Sequence, residues 1–251
     1  MSRKVLLLNH MEGERIDRAH PMLVRRGFEV EWCAPALGDV LPDPLSDAFD
    51  AVVVYGGAQS ANDDGYIQDE VEWIRTWVEA DKPFMGFCLG AQLLSLAFGG
   101  EVRPHPTGLY EIGFFPIETV APGFKGPHSL VYHWHKEGFT VPRTGELLAR
   151  GDTFPNQAFR IGRKAYGLQF HPEVTQNQMQ TWMDSAGHML AHPGAQDRER
   201  QLADARHHIA PLGDWLEDFL DRWLSDSGLT YPARSSTAAS DLLPSERVPS
   251  S

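Results

Sequence analysis

Cys88 stands between Gly86 and Gly90 in the run Phe84-Met85-Gly86-Phe87-Cys88-Leu89-Gly90-Ala91-Gln92, with an apolar strand-like stretch before it and an apolar helix-like stretch after it. That spacing is the pattern of a nucleophile elbow, a tight strand-to-helix turn that tolerates only small neighbours and lifts one side chain clear of the sheet. A thiol lifted there sits at a helix N-terminus, where unpaired backbone N–H groups and the helix dipole favour the thiolate, the reactive form. The Leu89 N–H lies at the same turn as a candidate oxyanion donor. A thiol nucleophile needs a general base, and the base needs a group that fixes its tautomer. Both occur in Gly167-Leu168-Gln169-Phe170-His171-Pro172-Glu173, where a strand would deliver His171 to its C-terminal edge and Glu173 would bond the imidazole nitrogen remote from sulfur. Each run alone has a plain explanation, a core cysteine packed under two glycines or a surface His-Pro-Glu turn. Together they specify a Cys-His-Glu set.

The elements that must position these groups follow from periodicity. Short apolar runs alternate with amphipathic ones, the pattern of a parallel sheet covered by helices. Lys4–Leu8, Phe28–Trp32, Ala51–Tyr55 and Pro83–Phe87 read as strands; Ile16–Gly27, Tyr66–Ala80 and Leu89–Phe98 read as helices, the first interrupted at Pro21. Beyond residue 100 shorter strand-like pieces at Gly113–Glu118, Phe139–Val141, Gln157–Ile161 and Ala165–Phe170 suggest antiparallel additions. Residues 175–192 and 197–224 read as helical, the second interrupted at Pro211. The expected fold is α/β, a three-layer, flavodoxin-like, mostly parallel sheet with helices on both faces and a smaller antiparallel addition. One domain is expected over residues 1–224, with a core at 4–174 and C-terminal helices at 175–224, and a Ser- and Pro-rich disordered tail at 225–251.

Composition narrows the function classes. With 22 Lys+Arg against 34 Asp+Glu the formal charge is −12, which repels phosphate backbones and anionic bilayers. Nucleic-acid and membrane partners are therefore not expected. Two cysteines, Cys33 and Cys88, form no disulfide framework, and the four apolar residues after Lys4 are too short for a signal-peptide core. A cytoplasmic protein fits.

At this point the residues resemble a family. Gly56-Gly57, the run Gly86 to Gln92 and the run Gly167 to Glu173, in that order, are similar to the class I, triad-type glutamine amidotransferases, and among these to the glutaminase portion of guanosine-monophosphate synthetase and its stand-alone relatives. The resemblance spans about Lys4 to Val174. It implies Cys88 as nucleophile, His171 as base and Glu173 as its orienter. It implies an oxyanion hole from the Gly57 and Leu89 N–H groups, and Gln92 beside the glutamine substrate. His133-Trp134-His135-Lys136-Glu137-Gly138-Phe139 resembles the family loop that closes over glutamine, which makes Trp134 and His135 substrate contacts. Two positions depart from the family pattern: Ala58 stands where Pro is usual after the two glycines, and Glu137 where Asp is common. Gly56-Gly57-Ala58-Gln59-Ser60 lacks the Lys and helix-opening Ser/Thr of a phosphate-binding loop, so acceptor chemistry is expected on a separate synthase chain. The resemblance implies no cofactor.

Other readings stay open. A free-standing γ-glutamyl hydrolase or peptidase would use the same three residues on a peptide or conjugate, and a non-catalytic regulatory module would keep the fold and not the chemistry. Eleven histidines invite a metal reading through His133-x-His135, His188-x₃-His192 or His207-His208. No third ligand is indicated and no Glu follows His188, so no metal site is expected. The aromatic stripes at Trp73 and Trp77, and at Trp215, Phe219 and Trp223, are expected to pack into the core.

Overall fold

Alternation along one buried strand explains the layers. In the computed structural model, which describes residues 3–11 and 17–229, β1 (Lys4–Leu8) sends Val5 and Leu7 into one apolar cluster and Leu6 and Leu8 into another. It pairs in parallel with β2 (Glu29–Cys33) and β3 (Ala51–Val54). The further strands are β4 (Phe84–Phe87), β5 (Val102–Pro104), β6 (Glu111–Phe115), β7 (Glu118–Thr119), β8 (Val131–His135), β9 (Glu137–Phe139), β10 (Gly145–Arg150), β11 (Ala158–Ile161) and β12 (Ala165–Leu168). Eight of them form one sheet in the order β2-β1-β3-β4-β12-β11-β10-β7, parallel as far as β12 and antiparallel beyond. Two small antiparallel pairs, β5-β9 and β6-β8, lie outside it. This is the expected mostly parallel α/β sheet with an antiparallel addition.

The helices divide between the two faces. Helices α2 (Tyr66–Glu79) and α3 (Leu89–Ala97) bury Ile67, Ile74, Trp77, Leu93 and Leu94 with the Leu6 face. Helices α1 (Ala19–Arg25), α4 (Gln176–Ser185) and α5 (Arg198–Asp226) bury Leu23, Met179, Leu216 and Trp223 with the Val5 face. The aromatic stripes pack as expected: Trp73 stacks on Trp77 with centroids 5.0 Å apart, and Trp215 on Phe219 at 4.9 Å. Their polar tips are satisfied as well, since Trp77 Nε1 donates to Pro83 O and Trp223 Nε1 to Lys164 O. Buried aromatics stay inside because each N–H finds a carbonyl.

Several boundaries differ from the sequence expectation. Pro21 lies in the first turn of α1, where a missing N–H costs nothing because that N–H has no intrahelical acceptor; the helix therefore starts at Ala19 and is not broken. Pro211 does not interrupt α5. The helix passes through it with Leu212, Leu216, Phe219 and Leu220 all buried, while Arg18 lies against Gly213 and donates to Ile209 O at 2.8 Å. The segment 175–192 is two pieces: α4 is capped by the Thr175 hydroxyl, and a 3-10 turn at Gly187–Ala191 follows. His188 and His192 therefore share no α-helical face. Helix α5 ends at Asp226 and the described chain runs to Leu229, so residues 230–251 of the expected tail lie outside the described residues. Among the described residues no helix is long and apolar enough to cross a membrane.

Candidate active site

The strand-to-helix turn after β4 has the strained shape its spacing predicts. Cys88 has φ 48 and ψ −102, one of two non-glycine residues with positive φ among those described. The flanking glycines are required by contact. A Cβ on Gly86 would lie 2.5 Å from the Gly90 carbonyl oxygen and 2.7 Å from the Ala91 nitrogen, and one on Gly90 would overlap the Val54 carbonyl and lie 2.9 Å from its carbon. Strand β4 and helix α3 thus close on each other with no room for a side chain. The backbone N–H of Cys88 donates to Leu168 O at 2.8 Å, tying the elbow to the neighbouring parallel strand β12.

That strand leads to the expected base. His171, just beyond β12, places Nδ1 2.7 Å from Glu173 Oε1, and its own N–H donates to Tyr132 O at 2.8 Å. His171, Glu173 and Cys88 are all at least 95% buried. The imidazole Nε2 makes no hydrogen bond of good geometry, yet the ring feels the Cys88 sulfur as well as the carboxylate. Burial pushes His171 down, but Glu173 and Cys88 outweigh it and hold the imidazole up to about 10, against an ordinary 6.5. A cationic imidazole is the resting state this favours. Trp182 stands edge-on to the ring with centroids 4.9 Å apart, which fixes its plane and sheds water from one side.

Gly56 and Gly57 bring β3's end into the same place. A Cβ on Gly56 would sit 2.9 Å from His171 Cε1 and 3.4 Å from Cys88 Cβ; one on Gly57 would meet Gln59, His10 Cβ and Leu89 Cδ2. The strand end is thus wedged between the Cys88 and His171 side chains. Leu89 is the first residue of α3, where the backbone N–H has no intrahelical acceptor, and it lines the same cleft as Gly57. The cleft, about 450 Å³, also takes in Trp134, His135, Gln92, Trp32, Tyr110 and Met189.

The expected substrate contacts are placed differently from one another. Trp134 lines the cleft with its Nε1 donating to Met189 Sδ at 3.4 Å. Gln92 is 4% exposed and turned inward, its Nε2 bonding Glu137 O at 2.9 Å and Gln169 Oε1 at 3.3 Å. Both ring nitrogens of His135 face protein atoms, Glu137 O and Glu111 Oε2. The segment expected as a closing loop is instead ordered as β8 and β9. Sequence reasoning missed Gln169, whose Nε2 donates to Cys88 Sγ at 3.6 Å. Its signal was a lone amide inside an apolar strand run, two residues from His171. Asp17 and Tyr55 were also missed; both line the cleft and share a 2.8 Å hydrogen bond.

A sheet that gathers a cysteine elbow, a buried His-Glu pair and a glycine strand end at one edge defines a class, and the comparisons place the chain in it. The family model described as glutamine amidotransferase class-I matches residues 21–186, so the chain belongs to the class I glutamine amidotransferases. It is 30% identical to the glutamine amidotransferase-like protein YfeJ of Salmonella typhimurium, over 78% of this chain and 87% of that one. It is 32% identical to one component of the glutamine-hydrolysing GMP synthase of Ignicoccus hospitalis, over 53% and 72% of the two chains. The crystal structure of a glutamine amidotransferase from Methylobacillus flagellatus superposes with a TM-score of 0.83 at 24% identity, covering 93% of this chain and 98% of that one, a likeness of fold.

Proposed function

We propose that the chain hydrolyses the side-chain amide of glutamine through a γ-glutamyl thioester on Cys88. The Cys88 thiolate attacks the amide carbon, and the oxygen that becomes negative is held by the N–H groups of Gly57 and Leu89. His171 gives its Nε2 proton to the departing nitrogen, which leaves as ammonia. The neutral imidazole then takes a proton from water, whose oxygen attacks the thioester; glutamate leaves and the thiolate returns. The observation that carries this reading is the buried His171–Glu173 bond of 2.7 Å with the same ring set against the Cys88 sulfur. Ammonia is then passed to an acceptor on a separate synthase chain, as the similarity to one component of a GMP synthase suggests.

A second reading rests on the cleft. A volume of about 450 Å³ with Trp32, Tyr110 and Trp134 on its walls falls within the range of pockets for larger ligands and suits a γ-glutamyl compound with an apolar amine side. Ammonia release from glutamine, measured against cleavage of a panel of γ-glutamyl amides and peptides, separates the two. Preference for glutamine, rising when a synthase partner is added, supports the first; preference for a conjugate with no partner effect supports the second.

Glu173→Gln tests the orienter. Removing the carboxylate takes away the largest support of the raised imidazole, so turnover of glutamine is expected to fall by about 100-fold while the protein stays folded. Because His171 is raised above its ordinary value, its contribution to stability is complete below about pH 6.5 and is lost as pH rises through about 10. In Glu173→Gln this loss moves to lower pH, which thermal melts from near-neutral to alkaline pH would read.

A further inference from the structure

The histidine pair that lacked a third ligand in the sequence acquires one from the fold. Strands β6 and β8 pair in antiparallel register with Glu111 opposite His135 and Gly113 opposite His133. Glu111, His133 and His135 therefore project from one face of the pair. All three are buried, with His133 fully so. Glu111 Oε2 lies 3.0 Å from His135 Nε2 and 3.4 Å from His133 Nδ1, and the two nitrogens are 3.3 Å apart. Metal bonds of about 2.0–2.1 Å in a tetrahedral site separate neighbouring ligand atoms by roughly 3.3 Å. The triangle is the face of such a site.

Hydrogen bookkeeping leads to the same place. The His135 Nδ1 faces the Glu137 carbonyl at 2.9 Å; a carbonyl only accepts, so this nitrogen carries the hydrogen. In a neutral ring Nε2 then offers a lone pair toward a carboxylate oxygen, and the two repel unless a cation lies between them. The imidazole-to-carbonyl bond is also the usual outer support of a zinc-ligating histidine. Gln157 Nε2 supports the carboxylate in the same way, donating to Glu111 Oε2 at 2.8 Å. His133 Nε2 has no acceptor, and its ring stands edge-on to Phe115 and Phe170.

We propose that Glu111, His133 and His135 form a buried three-ligand site for a divalent cation of the zinc class. The two-histidine, one-carboxylate donor set is a zinc set with a fourth position open. The ion would clamp β6 to β8 behind the cleft wall that carries Trp134. It takes no part in the chemistry proposed for Cys88, so the two ideas stand or fall separately. Among the described residues no other group of three His, Cys, Asp or Glu side chains converges in this way.

The test uses the untagged full chain, incubated with zinc sulfate, dialysed against zinc-free buffer and subjected to elemental analysis. About one zinc per chain is expected, with cobalt giving the visible absorption of a four-coordinate site. Glu111→Gln and His133→Ala should each weaken zinc binding by at least about 100-fold, with far-UV circular dichroism reporting folding. The wild-type stoichiometry is informative even where a variant fails to fold. Folded wild-type protein that retains no zinc overturns the proposal. Zinc held equally by both folded variants overturns it too, by moving the ion to other histidines.

Discussion

Replacement of Cys88 by alanine should abolish ammonia release from glutamine, by about 10⁴-fold or more in turnover, since removing the nucleophile of a coupled set costs nearly the whole of its catalysis. The loss should not come from unfolding. Cys88 is 5% exposed and sits on a backbone with φ 48 and ψ −102, a conformation that costs of order 1–3 kcal/mol for any residue with a Cβ. Alanine inherits that strain and glycine does not. Cys88→Gly is therefore expected to be as inactive as Cys88→Ala and about 1 kcal/mol more stable. Paired denaturation curves and glutaminase assays on the two variants check both halves. A protein in which Cys88→Ala keeps measurable turnover has its nucleophile elsewhere.

Gly90→Ala is expected to have the second largest effect, and on stability first. The added Cβ would overlap the Val54 carbonyl and approach Val54 Cβ at 3.0 Å. These are atoms of a central strand and cannot move aside as a surface side chain would. Helix α3 must shift away from β3, and overpacking of this kind costs roughly 1–3 kcal/mol or more. The same shift carries Cys88 and Leu89 with it, because both lie at the start of α3. Displacements of about 1 Å cost roughly 100-fold in catalysis. Thermal unfolding together with turnover reads this, and the expected result is a lower melting temperature with activity reduced even in the fraction that remains folded.

The elements that hold the site were legible because their residues obey one rule each. Strands β1, β3 and β4 are continuous apolar runs buried on both faces, and the Gly86 and Gly90 spacing has a steric meaning that the backbone of Cys88 bears out. Strand β8 was not legible. Its His133 and His135 alternate with Tyr132 and Trp134 and count as polar in any hydropathy reading, yet their shared face is buried against Glu111. Only a partner distant in sequence makes such a strand comprehensible. Helix α5 was misread for a similar reason: Pro211 forbids one backbone bond, and the burial of Leu212, Trp215, Leu216 and Phe219 keeps the helix continuous regardless. The inward turn of Gln92 could not be foreseen either, because its acceptors, Glu137 O and Gln169 Oε1, come from other parts of the chain.

The second cysteine supplies the control for the central claim. Burial pushes the Cys33 thiol up to about 11, with Asp39 and Glu70 adding to it, so at neutral pH it stays an unreactive thiol. Cys88 lines a cleft together with His171, whose imidazole is held up to about 10 and so is cationic at neutral pH. The most direct measurement is therefore the intact mass and peptide map of the protein after treatment at neutral pH with an electrophilic diazoketone analogue of glutamine. The account predicts one adduct per chain, on Cys88, suppressed by excess glutamine and slowed in Glu173→Gln. Folded protein that takes up no adduct on Cys88, or takes it on Cys33, contradicts it.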